Sequence, residues 1–367
     1  MFQTIKYMHW IKTVPDVSIN LTGSGVASPE YLSDLNIPSS DIPLGEANWY
    51  GYEPLKEWLA NKYKIDTSHI AITPGASMAN YIAINALAGM VDEFCIETPS
   101  YEPHIRIAEG VGYSKIGIKP MQISRLNRDA SKGYKLGSDI QLPMQNSTAL
   151  IISNPNNPTG VFDSDETTIR LADQVSEYGG YLMVDEVFRP FIEGEEFCSP
   201  ASLHDRIVST CSLTKAWGLY GLRIGWVIGN PDIIQRISGI MDNLHVIQPV
   251  ITEYIALHTL VKSSLASDFL IESRRMAKSN FEIVAEYLGN CDQLSYTQPD
   301  GGITMLIRFK DGSNSDEYCL RLMEDEDVLV APGRFFEVYD GFRLSFGIDP
   351  AMLRKGLESV VRLASDD

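Results

Sequence analysis

The sequence predicts an α/β protein with a large domain, built on a mostly parallel sheet flanked by helices, and a smaller α+β domain. Short apolar strand candidates alternate with helical segments from about residue 69 to residue 230, a pattern typical of a helix-flanked parallel sheet. A long helical stretch from about residue 265 precedes further strand candidates. The length of 367 residues also favours more than one core.

The elements follow one another in a regular order. The apolar residues of YEPLKEWLANKY (52–63) have helical spacing. The alternating region continues with HIAITPG, the helix SMANYIAINALAGM, EFCIETP, TALIISNP, the helix DSDETTIRLADQVSEY, and the strands GGYLMVDEVF, RIVSTCSL and RIGWVIG. The later strand candidates are GITMLIRF, VLVAPG and GFRLSFG, followed by a helix. We expect an amino-terminal arm with part of the small domain at 1–42, the large domain at 43–245 and the small domain at 246–367.

Composition and charge narrow the class of protein. The formal net charge is −18, which argues against nucleic acid or an anionic membrane as partner because both need a basic surface. The five cysteines are odd in number and lack CxxC spacing, so we expect reduced thiols, with no disulfide framework and no metal site. The sequence has no signal-like start and no apolar run near about 18 residues, which predicts a cytoplasmic protein.

The loop TPGASMAN (73–80) leaves a strand and opens a helix. Gly75, Ala76 and Ser77 would place free backbone amides and small side chains at the helix start, an arrangement that suits a phosphate. The alternative is a structural one, in which the serine simply caps the helix.

Two further loops carry polar groups where strands end. The prolines of SNPNNPTG (153–160) would fix the backbone and present the Asn157 amide to a ligand, although a plain turn has the same composition. Asp185 ends the buried strand of YLMVDEVF (181–188), where a carboxylate is costly without a partner. Nucleotide hydrolases also end a strand in this way, but the chain has no GxxxxGK[ST] loop.

The segment SLTKAWGLYGLRIGW (212–226) holds one lysine among small and apolar residues. Burial would lower the pKa of Lys215 and favour its use as a nucleophile. A phosphate fits the 75–77 helix start with Ser212 and Arg223, a protonated ring nitrogen fits Asp185, a ring hydroxyl fits Asn157, and an aldehyde fits Lys215. Pyridoxal 5′-phosphate carries all four features.

The ordered set TPGAS, ETPSYEPH, SNPNNPTG, VDEVF, SLTKAWGLYGLRIGW and FRLSFG resembles the class I/II aminotransferases, pyridoxal-phosphate enzymes of fold type I. The resemblance spans roughly residues 20–347 and implies the aspartate-aminotransferase-like fold. It implies that Lys215 forms the Schiff base and moves the proton, and that Asp185 pairs with the pyridinium nitrogen. The other residues that it implies bind the cofactor are Gly75, Ala76, Ser77, Tyr101, Asn157, Ser212 and Arg223.

The same resemblance implies a substrate site. Arg343 matches the arginine that binds the substrate α-carboxylate, and Asn157 is a further candidate for substrate contact. Gly23 or Gly25 would line the substrate from the arm. His104 matches a residue that often supports the aspartate. For Tyr101 and His104, ordinary core packing stays open as the alternative, and Arg334 is a candidate for contact with an acidic substrate side chain.

The sequence departs from the family at two positions. Phe188 stands where the family commonly has a tyrosine that donates to the ring oxygen. Glu46 stands where a tyrosine usually reaches the neighbouring subunit's site, and Trp49, Tyr50 or Tyr52 are possible substitutes. The stretch INLTGSGVASPEYL (19–32) also resembles the amino-terminal SGV stretch of capreomycidine synthase, a cyclising relative.

The resemblance therefore implies a homodimeric aminotransferase that moves an amino group from an amino acid to a 2-oxo acid. The same residues would serve a lyase, decarboxylase or cyclase, because the bond broken depends on how the substrate is held. A cofactor-sensing regulator is a third alternative, but such chains carry a DNA-binding domain before the match, and only about 20 residues precede it here.

Overall fold

The structure is a computed structural model that describes residues 3–27, 37, 41–45, 48–113, 121–137, 140–142, 144, 146–261 and 264–366. Within these residues the helices are α1 (Lys6–Thr13), α2 (Glu53–Tyr63), α3 (Ala76–Ala88), α4 (Glu102–Tyr113), α5 (Asp165–Ser176), α6 (Pro231–Leu244), α7 (Val250–Val261), α8 (Ser264–Gly289), α9 (Ser315–Glu326) and α10 (Pro350–Asp366). None of them is both long enough and apolar enough to cross a membrane.

The strands of the described residues form three sheets. They are β1 (Ile19–Asn20), β2 (Ile70–Thr73), β3 (Glu93–Thr98), β4 (Gln122–Asn127), β5 (Thr148–Ser153), β6 (Tyr181–Asp185), β7 (Ile207–Ser212), β8 (Gly225–Ile228), β9 (Leu294–Tyr296), β10 (Thr304–Phe309), β11 (Val328–Leu329), β12 (Ala331–Pro332) and β13 (Gly341–Ser345). The largest sheet has the order β2-β8-β7-β6-β5-β3-β4.

This largest sheet is parallel except at β8, which is antiparallel to both of its neighbours. The connection between β7 and β8 covers residues 213–224 and contains only the 3₁₀ turn Tyr220–Leu222, so it provides no helix that crosses over the sheet. Parallel neighbours require a crossover connection, whereas antiparallel neighbours such as β7 and β8 do not. The sheet confirms the predicted fold class of a mostly parallel, helix-flanked α/β protein.

The side chains of the central strands pack into two hydrophobic clusters, because successive side chains point to opposite faces of a sheet. Leu150 and Ile152 of β5 belong to one hydrophobic cluster, and Ala149 and Ile151 belong to the other. Helices α3, α4 and α6 pack in the second cluster, while α2, α5 and α8 pack in the first. Both faces of the sheet are therefore covered, as the continuous apolar runs of its strands require.

The carboxy-terminal part forms a second sheet in the order β12-β13-β10-β9, with all neighbouring pairs antiparallel. The arm joins this part of the chain, because β1 pairs in parallel with β11 through Ile19 opposite Val328. Leu21 continues the pairing, donating its amide to Leu329 O and accepting from the Ser345 amide. The boundaries predicted at residues 42/43 and 245/246 stay a prediction.

Candidate active site

The strands β5, β6 and β7 are neighbours, run parallel, and end at Ser153, Asp185 and Ser212. The loops that follow them meet at a cavity of about 330 Å³, as expected at the carboxyl edge of an open α/β sheet. The cavity brings together many of the predicted residues: Ala76, Ser77, Tyr101, His104, Asn157, Asp185, Phe188, Ser212, Lys215 and Arg223.

Asp185 is buried beneath this cavity and is held by three donors. Its Oδ2 accepts from His104 Nε2 at 3.1 Å and from Asn80 Nδ2 at 2.7 Å, and its Oδ1 accepts from the Val187 amide at 3.1 Å. Burial by itself would raise the pKa of Asp185, but the hydrogen bonds from His104, Asn80 and Val187 hold that pKa below its ordinary value. The carboxylate is therefore charged at neutral pH and suited to a cationic partner.

Lys215 lies three residues beyond β7 and lines the same cavity as Asp185. Its Nζ donates to Ser24 Oγ at 2.7 Å and lies 5.9 Å from the centre of the Phe188 ring. The pKa of Lys215 is lowered to about 8, first by burial and then by the positive charges of Arg343 and Arg223, which outweigh the opposing effect of Asp185. The lowered pKa increases the fraction of the neutral, reactive amine near neutral pH.

The start of α3 forms an anion cradle. Its N-cap is Gly75, with φ +82°, and no side chain caps the helix, so the amides of Ala76 and Ser77 stay available. A Cβ at Gly75 would lie 2.3 Å from Arg223 Nη2, so a side chain at this position would push the guanidinium away from the helix start. The alternative that Ser77 is a plain cap is wrong, because this serine lies inside the helix. An uncapped helix start beside an arginine and the Ser212 hydroxyl fits a phosphate group.

Arg343 lies beside the cavity on β13, with a side chain that is 0% exposed. Its Nη1 donates to Asn157 Oδ1 at 2.9 Å, and its Nη2 donates to the Tyr7 hydroxyl at 2.6 Å and to Thr22 O at 2.8 Å. Its Nε has no hydrogen-bond partner within the part of the chain that the structure describes. Among the described residues no carboxylate pairs with this guanidinium. A buried cation with only neutral partners is costly, which fits a site for a substrate anion.

The donor set tests whether the implied cofactor fits the cavity. The cradle at the start of α3 matches the phosphate, the charged Asp185 matches a protonated ring nitrogen, and the Lys215 amine matches the aldehyde. Asn157 lines the cavity, and a side-chain amide is a group that can hydrogen-bond to the ring hydroxyl. The residues present fit pyridoxal phosphate.

Comparison with known proteins agrees with this chemistry. The profile of the family described as "Aminotransferase class I and II" matches residues 47–360, most of the chain. The chain belongs to this family. It is therefore an aminotransferase, as predicted, and members of this family depend on pyridoxal phosphate.

Individual relatives are similar to the chain over most of its length. The chain is 28% identical to the capreomycidine synthase of Streptomyces vinaceus over 84% of this chain and 78% of the relative. It is 24% identical to an aspartate aminotransferase of Bacillus subtilis over 94% of this chain and 91% of the relative. A solved pyridoxal-phosphate-dependent aminotransferase from Streptococcus suis superposes with a TM-score of 0.85 at 22% identity, covering 100% of this chain and 98% of the other.

Several predicted residues of this aminotransferase lie at the edge of the cavity or away from it. The arm lines the cavity with Thr22, Gly23 and Ser24, whereas Gly25 packs against Lys215, since a Cβ there would meet Lys215 Cα at 3.6 Å. Arg334 lies outside the cavity and pairs with Asp316 at 2.6 Å. Glu46 lies outside the described residues.

Three polar residues of the site are not predicted by the sequence: Asn80, Ser24 and Tyr7. Asn80 donates to Asp185 and accepts from Thr210 Oγ1 at 2.6 Å. The sequence feature that could have indicated this role is a polar residue on the apolar face of SMANYIAINALAGM. Ser24 accepts a hydrogen bond from Lys215, and the sequence feature that could have indicated it is the glycine on either side. Tyr7 contacts Arg343 from α1, and nothing in its local sequence indicates this.

Proposed function

We propose that this aminotransferase binds pyridoxal 5′-phosphate in the 330 Å³ cavity and uses Lys215 to move an amino group from an amino acid to a 2-oxo acid. The observation that carries the proposal is one cavity that holds a lysine of lowered pKa, a carboxylate kept charged by its donors, and an uncapped helix start beside Arg223. Each group alone has structural explanations, but together they match one cofactor.

Each residue has a defined part in the proposed reaction. The amides of Ala76 and Ser77, the Ser212 hydroxyl and the Arg223 guanidinium would bind the phosphate. The Asp185 carboxylate would hold a proton on the ring nitrogen, because a nearby negative charge favours the protonated ring. Bound pyridoxal phosphate withdraws electrons from the bonds at the carbon attached to the substrate nitrogen.

The remaining residues would bind the substrate and move its proton. Arg343 would bind the α-carboxylate with its Nε donor, which has no partner among the described residues, while Asn157 Oδ1 orients Nη1. Lys215 Nζ would accept the proton of the substrate α-carbon as general base and then donate it as general acid. Tyr101 would pack against the ring, since it lines the cavity beside His104.

A spectral screen of the common amino acids tests the proposal. The cofactor's absorption should change with at least one amino acid, the matching 2-oxo acid should appear in equal amount, and a second 2-oxo acid should restore the original spectrum. The alternative lyase, decarboxylase or cyclase is favoured only by the likeness to capreomycidine synthase. A product other than a 2-oxo acid, with the spectrum returning unaided, would support that alternative against ours.

Phe188 gives a prediction about the cofactor's spectrum. The residue is buried, lines the cavity and cannot donate a hydrogen bond. The hydroxyl of Tyr220 does not replace the missing donor, because Tyr220 is 56% exposed and does not line the cavity. In Phe188→Tyr, a hydroxyl donating to the ring oxygen should move the spectral transition of the lysine-bound cofactor to lower pH, by about one unit at most. Phe191→Tyr, which adds a hydroxyl outside the cavity lining, is the control. Coincident titrations of wild type and Phe188→Tyr would mean that position 188 does not face the ring oxygen.

We also propose that the protein is a homodimer. Five exposed apolar side chains are grouped on the segment before α2 and on and after α6: Trp49, Tyr50, Leu244, Val246 and Ile247. Apolar side chains grouped in this way, unlike isolated ones, indicate an interaction surface. The two segments are neighbours, because Tyr50 donates to Asp242 on α6. One of Trp49, Tyr50 and Tyr52 would then reach the neighbouring subunit's site.

Light scattering should therefore give twice the mass of the chain at micromolar concentration. Val246→Asp should weaken the dimer, because a charge would be buried at the interface. Leu320→Asp, at an exposed leucine of α9, is the matched control and should leave the dimer intact. A fully active monomeric wild type would contradict the proposal.

A further inference from the structure

The segment Asn20–Val26 of the arm contacts both of the residues proposed to act on the substrate. Thr22 O accepts from Arg343 Nη2 at 2.8 Å, and Ser24 Oγ accepts from Lys215 Nζ at 2.7 Å. The Val26 amide also donates to Lys215 O at 3.1 Å. The same short stretch of chain is therefore hydrogen-bonded to the α-carboxylate site and to the reactive amine.

This segment is held in place on both sides of Ser24. Before it, the Leu21 amide donates to Leu329 O at 2.7 Å, and Asn20 Oδ1 accepts from the Thr22 amide at 2.9 Å. After it, Gly25 lies so close to the lysine segment that a Cβ would be 3.2 Å from Thr214 O. A hydroxyl anchored in this way restricts an otherwise flexible lysine side chain at low entropic cost.

We propose, on the basis of the proposed function, that Ser24 is a positioning residue that holds the free amine of Lys215 for proton transfer to and from the substrate. A neutral amine that donates one hydrogen to Ser24 Oγ keeps its lone pair free for the α-carbon proton. Because the hydroxyl both donates and accepts, it serves the amine before and the ammonium after that transfer. Only a proton moves, so the step needs no further reactant.

The groups that face Lys215 set the expected pH behaviour. Asp185 comes from β6, Arg343 from β13 and Arg223 from the loop before β8, and Phe188 contributes an uncharged ring. Ser24 Oγ adds an acceptor that favours the ammonium form. Its removal should therefore lower the pKa of Lys215 in the cofactor-free protein.

Ser24→Ala and Ser24→Thr test the assignment, with Ser18→Ala, at an exposed serine of the same arm, as control. In Ser24→Ala we expect kcat to fall about 2- to 10-fold, the value of one hydrogen bond, with KM nearly unchanged. The kinetic isotope effect with α-deuterated substrate should rise, because proton transfer becomes more limiting. Ser24→Thr keeps the hydroxyl and should restore both values.

Trace labelling with acetic anhydride gives a readout that needs no transamination. In cofactor-free protein, the midpoint of Lys215 acetylation against pH should be lower in Ser24→Ala than in wild type or Ser24→Thr. An unchanged midpoint would show that Ser24 does not contact the Lys215 amine. An unchanged isotope effect together with an unchanged kcat would show that Ser24 has no role in proton transfer. A wild type that transaminates no amino acid would instead count against the proposed function, whatever the labelling shows.

Discussion

Replacing Lys215 with alanine is expected to end covalent attachment of the cofactor and to lower transaminase turnover by on the order of 10⁴-fold. The variant loses the nucleophile and the general base together, since one Nζ serves both roles in the proposed reaction. Borohydride should fix the cofactor on the peptide that contains residues 212–226 in the wild type and not in Lys215→Ala. Noncovalent binding through Ala76, Ser77 and Arg223 should persist.

Lys135→Ala is the matched control, because Lys135 is a surface lysine paired with Asp300 at 2.7 Å. It should keep both the covalent cofactor and the activity. Transamination at the wild-type rate by Lys215→Ala would refute the proposed mechanism.

The lowered pKa of Lys215 predicts a pH dependence for attachment of the cofactor. The neutral amine is the reactive form and becomes more abundant as the pH rises. With the pKa lowered to about 8, attachment to cofactor-free protein should increase with a midpoint near pH 8, not near the ordinary value of 10.5. Stopped-flow absorbance across this range measures it, and a midpoint above 10 would show that burial does not affect this amine.

Replacing Arg343 with alanine is expected to raise KM for every amino-acid substrate about 10- to 150-fold, the effect of losing roughly 1.5–3 kcal/mol of charged hydrogen bonding. All substrates should be affected alike, because all share the α-carboxylate. The cofactor's spectrum should remain, since Arg343 lies outside the cofactor's proposed contacts. The pKa of Lys215 should rise, because the charge of Arg343 contributes to lowering it.

Arg308→Ala is the control for Arg343→Ala, because Arg308 lies on the neighbouring strand β10 and pairs with Asp340 away from the cavity. Its KM values should equal those of the wild type. An unchanged KM in Arg343→Ala would show that another group binds the carboxylate.

The sequence by itself determined the fold class and the chemistry available at the strand ends. Apolar strands alternating with helices require a covered parallel sheet, and parallel strands bring their carboxyl ends to one edge. Asp185 ends such a strand, and Asn157 and Lys215 follow such strands, so their meeting was predictable from local patterns alone. Gly75 was predictable as part of a helix start, but its φ of +82° and its contact with Arg223 were not.

Only the tertiary structure decided which distant side chains complete the site. Tyr7 and Arg343 are 336 residues apart, Ser24 and Lys215 are 191 apart, and their contacts depend on how the arm pairs with β11 and β13. Such contacts leave no periodic signal, because a hydroxyl at a given position has the same local propensity whether it faces solvent or a buried cation. The packing of the arm, and not any pattern within it, brings these hydroxyls to the reactive lysine and to the arginine.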